Sequence, residues 1–383
     1  MAEPEAGTPQ PAAPLDAAPP GQKQFPCSSC GAKLEYSPGT PSLKCPYCGA
    51  ENVIPQSEED IVELDFAGNL EKAAGEQSTV EQLTVKCNAC GAQSTLEPNV
   101  VAGTCPFCDA PIVAEGVSHK AVKPASLLPF KITRPQAQDA FRRWVGGLWF
   151  APGELKRYAQ TDSKLAGLYV PYWTYDTDTT TFYRGQRGDD YWETQHYTTI
   201  ENGKTVHKTR QVRKTRWRSV SGTVWNSFDD ILVLASSSLP RKYTEALEPW
   251  DLKNLVPYGD EYLAGFRAES YQVGLAEGFS RAKEIMDPKI RETICHDIGG
   301  DHQRIDSLKT QYNNITFKHL LLPIYLSAYR YREKVYRFLV NARTGEVQGE
   351  RPWSWVKILL LVLGILAGVA ALVLLFAASQ AGR

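Results

Sequence analysis

The chain has no Gly-x-x-x-x-Gly-Lys-[Ser/Thr] loop, no His-Glu-x-x-His pair and no Gly-x-Ser-x-Gly turn. The first absence excludes a P-loop nucleotide site. The second excludes a zincin centre, and the third an α/β-hydrolase nucleophile elbow. The nearest phosphate-loop fragment, "NGKT" at 202–205, lacks the upstream glycine and sits where Asn202-Gly203 signals a hairpin turn. No apolar run near the N-terminus reads as a secretory signal; the long apolar segment is at the other end. Net charge is nearly absent too: 42 Lys and Arg against 43 Asp and Glu leave −1.

Catalytic residue types gather only at "CHDIGGDH", 295–302, which offers His296, Asp297, Asp301 and His302. Two histidines and two acids around a Gly-Gly turn could hold a metal. The same order is that of a helix C-terminus with Gly299 as terminator, and no role is assigned to His296, Asp301 or His302. Asp176, Asp178, Asp189 and Asp190 read as turn residues flanking strand ends. No catalytic constellation emerges, so nothing argues for an enzyme.

Cysteine is plentiful. Eight of the nine form two sets with one spacing: Cys27, Cys30, Cys45 and Cys48, then Cys87, Cys90, Cys105 and Cys108. Each set is Cys-x-x-Cys, fourteen residues, Cys-x-x-Cys. A two-residue gap lets both sulfurs of a pair reach one ion from a single turn. Four thiolates at this spacing suit tetrahedral Zn²⁺. Gly31, Gly49 and Gly91 follow three of the pairs and tolerate the positive φ such turns need; Asp109 follows the fourth. Lys44 and Lys86 precede ligand cysteines and offset part of the negative charge. Disulfides are the alternative, but they belong to exported chains. Redox dithiols would sit on a strand–helix turn, and here strand-like residues flank both pairs. The expectation is two zinc ribbons of four cysteines each, holding two structural Zn²⁺. Cys295 reads as a small buried apolar group.

The organisation follows. Residues 1–24 are rich in Pro and Ala and read as disordered. Ribbon one spans 25–54, an acidic connector 55–84, and ribbon two 85–114. A larger domain spans 120–350. It opens with a helix signal: Thr133 as N-cap, Pro135 in the first turn, and Phe141, Trp144, Val145 and Leu148 at helical spacing. Strand-like runs follow at "GLYVPYWTYDTDTTTFYRG", "YWETQHYTTI" and "TVHKTRQVRKTRWRSVSGTV". Residues 260–298 read as helical, and 319–347 as strands. "LYVPYWTYD" and "LLLPIYLSAY" are alike and suggest an internal duplication. The fold class is α+β: an antiparallel sheet with packed helices.

Residues 358–378 are twenty-one apolar residues without a charge, enough to cross a hydrocarbon core of roughly 30 Å. A transmembrane helix is expected over 356–378. Trp353, Trp355 and Lys357 stand where interfacial rings and a snorkelling amine belong. The chain is then tail-anchored in an inner or plasma membrane. Flanking charges and the reduced thiolates place its bulk in the cytoplasm. Gly364 and Gly368 form Gly-x-x-x-Gly, which permits close pairing of two such helices.

The near-zero net charge hides a split. Residues 25–115 carry thirteen acids against four lysines, about −9; residues 119–355 carry about +8. The cations concentrate at 204–218, with seven basic residues and no acid. Ribbons at −9 would repel a phosphate backbone, which argues against nucleic acid there. Lys208, Arg210, Lys214, Arg216 and Arg218 fall on one face of a strand. That face is either solvated and salt-bridged, or a surface for anionic lipid headgroups or nucleic acid. The acidic arm could also dock on it within the chain.

The cysteine pairs, "LYVPYWTYD", "TRWRSVSG", "LLPIYLSAYRY" and "VNARTGEVQGERPWSWVKI" before a terminal apolar span resemble a bacterial membrane-anchored double-zinc-ribbon family. Its members often carry the label primosomal protein N′ (replication factor Y), superfamily II helicase. The resemblance implies a zinc-binding, membrane-bound protein without a defined activity. A helicase needs a P-loop and a Walker-B pair, and this sequence shows no P-loop, so no catalytic residue is carried over. The expected function is a tail-anchored protein-interaction adaptor with two zinc ions. The alternative is a nucleic-acid-binding or helicase-accessory protein.

Overall fold

A computed structural model describes residues 25–32, 34–55, 61–74, 79–86, 93–95, 102–104, 111–113, 117–122, 124–152, 165–201, 204–269, 271–331 and 334–381. Its frame is three very long strands: Ala166–Glu201, Lys204–Leu234 and His302–Tyr331. The first has 36 residues, which at about 3.3 Å each is roughly 120 Å of chain. It lies between the other two, antiparallel to both. Short strands extend the far side of the third: Lys334–Asn341, Ser126–Leu127 and Leu64–Asp65. Ser126–Leu127 runs parallel, so the nine-stranded sheet is mixed though mostly antiparallel. With the helices packed on it, the α+β expectation holds.

Alternation along the first long strand divides the core between two faces. Leu168, Val170 and Tyr172 point to one side, with Leu320, Leu322 and Ile324 beside them and Leu239, Leu247 and Trp250 above. Trp173 and Tyr175 point to the other, under the α-helix Leu275–Ile298. That helix presents Phe279, Ala282, Met286, Ile290, Ile294 and Ile298 at spacings of three and four, one continuous stripe. It crosses close to the sheet. A Cβ on Gly278 would run into the Tyr175 hydroxyl, so only glycine fits. The helix ends at Ile298 with Gly299 at φ 64°, and the Gly299 N–H donates to the Cys295 carbonyl. The "CHDIGGDH" run is therefore a helix terminus.

The helix Arg134–Gly147 starts as its sequence signals. Thr133 is the N-cap, and its N–H donates to Gln136 Oε1 at 2.7 Å. Phe141 and Val145 are buried, and Phe141 stacks on Phe338.

Several boundaries differ from the sequence reading. The runs at 167–185 and 191–200 are one strand. Asp176, Asp178, Asp189 and Asp190 are not turn residues but lie inside it. At Asp176–Asp178 both neighbouring strands carry one extra residue, and Asp230 and Asn314, each at φ 52°, absorb the two bulges. The third long strand begins at His302, well before 319. Helix occupies 275–298 rather than all of 260–298; Asp260–Leu263 is a 3-10 turn and Arg267–Ala268 a short strand. The stretch 55–84 is more than a connector: Leu64–Asp65 pairs with Thr316–Phe317, and Phe66 is buried against Tyr175, Phe279 and Phe317.

The two similar Pro-containing stretches meet. Val170 pairs with Leu322, and on either side Tyr169 pairs with Pro323 and Pro171 with Leu321. Proline cannot donate to a ladder. At both prolines the outer neighbour turns away: Ala235 N–H reaches the Pro171 carbonyl after Leu234, and Ala342 N–H the Pro323 carbonyl after Asn341. The local arrangement is two-fold about Val170–Leu322.

Candidate functional site

The first cysteine set forms a cluster. Tight turns close it: the Gly31 N–H donates to the Cys27 carbonyl and the Gly49 N–H to that of Cys45, with φ of 72° and 75° at the glycines. Short strands Glu35–Tyr36, Ser42–Lys44 and Glu51–Val53 form a meander behind them. Cys27 Sγ is 3.5 Å from Cys48 Sγ, and Cys30 Sγ is 3.5 Å from Cys45 Sγ. All four sulfurs lie within 4.8 Å of one another, close enough to bind one metal ion. The Ser29 N–H donates to Cys27 Sγ and lowers that thiol's pKa. The Cys48 N–H donates to Cys45 Sγ and holds that thiol at about 6. The Ala32 N–H also pulls on Cys30, but the Cys48 and Cys45 thiols outweigh it and push Cys30 up to about 12. Two thiols thus ionise readily, and the rest need a cation to release their protons. Cys87, Cys90, Cys105 and Cys108 lie outside the described residues.

The cluster is joined to the large sheet. The Tyr36 N–H donates to the Ala264 carbonyl and the Gly39 N–H to that of Phe130. Tyr36 packs edge-on against Tyr262 at 5.3 Å and Phe266 at 6.3 Å. Cys27, Leu34, Leu43 and Cys45 share one core with Phe130, Tyr169 and Tyr325. This half of the acidic arm therefore docks on the sheet and not on the basic strand.

The second feature is a projecting hairpin. The ladder between the first two long strands continues to Glu201–Lys204, either side of Asn202-Gly203, which lies outside the described residues. The third strand's ladder stops at Gly188–His302. Thirteen residues of the first strand therefore continue as a two-stranded ribbon, about 40 Å. On one face stand Tyr191, Glu193, Gln195 and Tyr197 with Lys208, Arg210, Lys214, Arg216 and Arg218. The expected common face of these five cations is present. Its charge is partly answered: Lys214 pairs with Glu193, and Arg218 with Asp189 at 2.6 Å. Arg216 and Arg210 lie over the Tyr191 and Tyr197 rings. The other face carries Trp192, 67% exposed, and Arg213 paired with Asp190. Asp190 also meets His302, and its N–H donates to Asp301. Asp297 accepts from the Tyr183 hydroxyl instead. His296, Asp301 and His302 form no metal-holding group among the described residues.

A third cluster had no sequence signal. Glu63, Asp176 and Asp229 bring carboxylates within 4.8 Å of one another. The buried Lys318 answers two of them and Asp230, with its Nζ 3.0 Å from Glu63, 4.0 Å from Asp176 and 2.8 Å from Asp230. Burial pulls the Lys318 pKa down, but these carboxylates outweigh it and raise it. Burial also raises Asp176 to about 6, against the pull of the Asp230 N–H and Lys318. The cluster is an ion network carrying its own cation. Its residues are far apart in sequence, so no local pattern could have announced it.

The last feature is the helix Trp355–Ala381. Its segment Trp355–Leu374 is long and apolar enough to cross a membrane, and it is not buried among the described residues. A Cβ on Gly364 or Gly368 would meet nothing within 4 Å. The helix leaves the sheet at the end opposite the hairpin tip. Glu350, five residues before it, accepts from the Tyr329 hydroxyl, and Tyr329 lies beyond the Ala166–Leu326 pair where the first long strand begins.

No family model matches the chain, and no solved structure matches it. Among curated proteins, "Uncharacterized protein YdjG" of Bacillus subtilis (strain 168) is 27% identical over 349 residues, spanning 90% of this chain and 94% of that one.

Proposed function

We propose that the chain is a tail-anchored adaptor, held in an inner or plasma membrane by Trp355–Ala381, with its bulk in the cytoplasm and its long hairpin as the arm that meets a protein partner. The observation that carries this is an opposition along one sheet. The apolar helix leaves one end, and a ribbon with no core to cover leaves the other. Isolated two-stranded ribbons are marginal in water. One that bears exposed Trp192, Tyr197 and Ile200 is suited to bury those side chains against another molecule.

The two cysteine sets have a structural role in this reading. With Zn–S bonds near 2.3 Å, sulfurs at tetrahedral corners lie about 3.8 Å apart, which the 3.5 Å separations approach. The first set therefore suits Zn²⁺. The identical spacing of Cys87, Cys90, Cys105 and Cys108 assigns a second ion to a second ribbon. The first ribbon's part is to close the core beside Phe130 and Tyr325.

The test is a photo-crosslinking amino acid at residue 192, used in intact cells with the full chain. The adaptor reading expects one dominant adduct that gains the mass of another polypeptide and resists nuclease. Adducts with nucleic acid would favour the helicase-accessory alternative, for which the Arg216–Tyr191 and Arg210–Tyr197 stacks are the supporting observation. Adducts with lipid alone would place the hairpin against the membrane.

A further inference from the structure

We propose that the loop at 148–151 is a second membrane-contact site, with Trp149 seated among the lipid headgroups beside the point where the apolar helix enters. This rests on reading Trp355–Ala381 as a membrane anchor.

The loop is fixed. It follows the helix Arg134–Gly147, and the Leu148 and Ala151 side chains are both buried. The Leu148 N–H donates to the Val145 carbonyl and the Ala151 N–H to that of Leu148. Between these inward anchors Trp149 points outward, 78% exposed. It is held there by the chain on both sides, so its exposure is a property of the fold.

The loop is also tied to the first turn of the apolar helix. The Ser354 N–H donates to the Phe150 carbonyl at 2.7 Å. Lys357 Nζ donates to the Ala151 carbonyl at 2.8 Å and to that of Trp149 at 3.2 Å. The Phe150 and Trp353 rings are 6.2 Å apart, and the Arg351 guanidinium lies 4.5 Å over the Trp353 ring. Lys357 stands only two residues into the helix, about 3 Å along its axis. A loop held by its amine therefore lies at the helix entrance, level with Trp355, itself 78% exposed. Lys357 was expected to snorkel toward headgroups; its amine is committed to the loop.

The partner is a lipid surface, because the patch continues into a span of twenty residues whose apolar side chains are not buried among the described residues. Trp149, Trp353 and Trp355 with Arg351 are the residue types that settle at headgroup depth, apolar body inward and polar edge outward. A single helix leaves a domain free to swivel. A second contact held by three hydrogen bonds, one from the Ser354 N–H and two from the Lys357 amine, sets its rotation.

The experiment uses the full chain labelled with 5-fluorotryptophan in phosphatidylcholine–phosphatidylglycerol nanodiscs. The ¹⁹F resonances are assigned by Trp149→Phe and Trp355→Phe. With headgroup spin-labelled lipid added, both resonances should disappear from the spectrum. In Lys357→Met the Trp149 resonance should return while that of Trp355 stays lost. A Trp149 signal that persists while that of Trp355 disappears overturns this proposal alone. Persistence of both overturns the anchor, and this proposal with it.

Discussion

Gly188 pairs with His302, and that rung is the last one shared by three strands. Below it the helix Leu275–Ile298 covers one face of the sheet, while Phe182 and Trp225 stay exposed on the other; above it the first two strands have only each other. Asp190 caps the boundary, accepting from Arg213 and Thr215 and meeting His302 at 3.2 Å. The ribbon is an addition to a finished core, and its removal should show this. Replacing residues 192–213 by Asn-Gly keeps the Tyr191–Lys214 rung, which has the same ladder parity as Glu201–Lys204. Thermal unfolding of the shortened chain should differ by under about 1 kcal/mol. A loss of several kcal/mol would mean the ribbon is part of the folding unit.

Lys318→Met should destabilise the fold. It strands Glu63, Asp176 and Asp230 without their cation. Breaking a buried pair costs about 3–5 kcal/mol, and partial hydration of these carboxylates brings the expectation to about 2–3. The loss should be smaller at pH 5 than at pH 8. Asp176 already titrates at about 6, and without the lysine it takes up a proton more readily still. Urea unfolding at the two pH values gives the comparison. An equal loss at both would remove the carboxylates from the explanation.

Glu269 meets no cation among the described residues. It is 3% exposed, and it accepts from Ser236, Ser238 and Gln272. Burial raises its carboxyl to about 7, although those donors pull the other way. The fold thus favours the protonated form. Its contribution is fully present below the usual glutamate range, near pH 4.3, and is lost as pH rises through about 7. Glu269→Gln should therefore raise stability at pH 8 by about 2–3 kcal/mol and change little at pH 5. Unfolding midpoints across that range test it, and a uniform shift would contradict it.

The cysteine cluster gives a prediction about folding. Elemental analysis should find two Zn²⁺ per chain. Cys45→Ser should remove one of them. Because Leu34, Tyr36 and Leu43 share a core with Phe130 and Tyr325, the sheet should lose stability with the ion. Structural zinc contributes on the order of 10 kcal/mol to a free ribbon; here a part of that should appear in the melting of the whole. One ion in the unaltered chain, or a Cys45→Ser sheet that melts unchanged, would contradict this.

What was legible in the sequence was local. Cysteine spacing announced the Cys27–Cys48 cluster, Thr133 and Pro135 the helix start, and Gly299 the helix end. The strand lengths were not legible, because the residues that look like breakers are satisfied across the sheet. Asp176 and Asp178 sit at paired bulges, Asp189 answers Arg187 and Arg218, and Pro171 and Pro323 fall where a neighbouring strand departs. The polar start of the third strand hid Ile305, Leu308, Tyr312 and Ile315, which pack against the core under the helix Leu275–Ile298. Phe66 and Trp149 each stood alone in an unremarkable stretch, and their meaning came only from what the chain brings beside them.

The central claim is that anchor and arm occupy opposite ends of one sheet, with the arm held away from the membrane. Energy transfer in nanodiscs tests it most directly. A bioorthogonal fluorophore is placed at residue 335 or 198 of the full chain, and an acceptor on the lipid headgroups. Val335 is near the Tyr329–Glu350 contact that leads into the helix, whereas Thr198 is three residues from the end of a strand roughly 120 Å long. The account predicts strong transfer from residue 335 and none from residue 198; equal transfer from both would lay the hairpin along the membrane and contradict it.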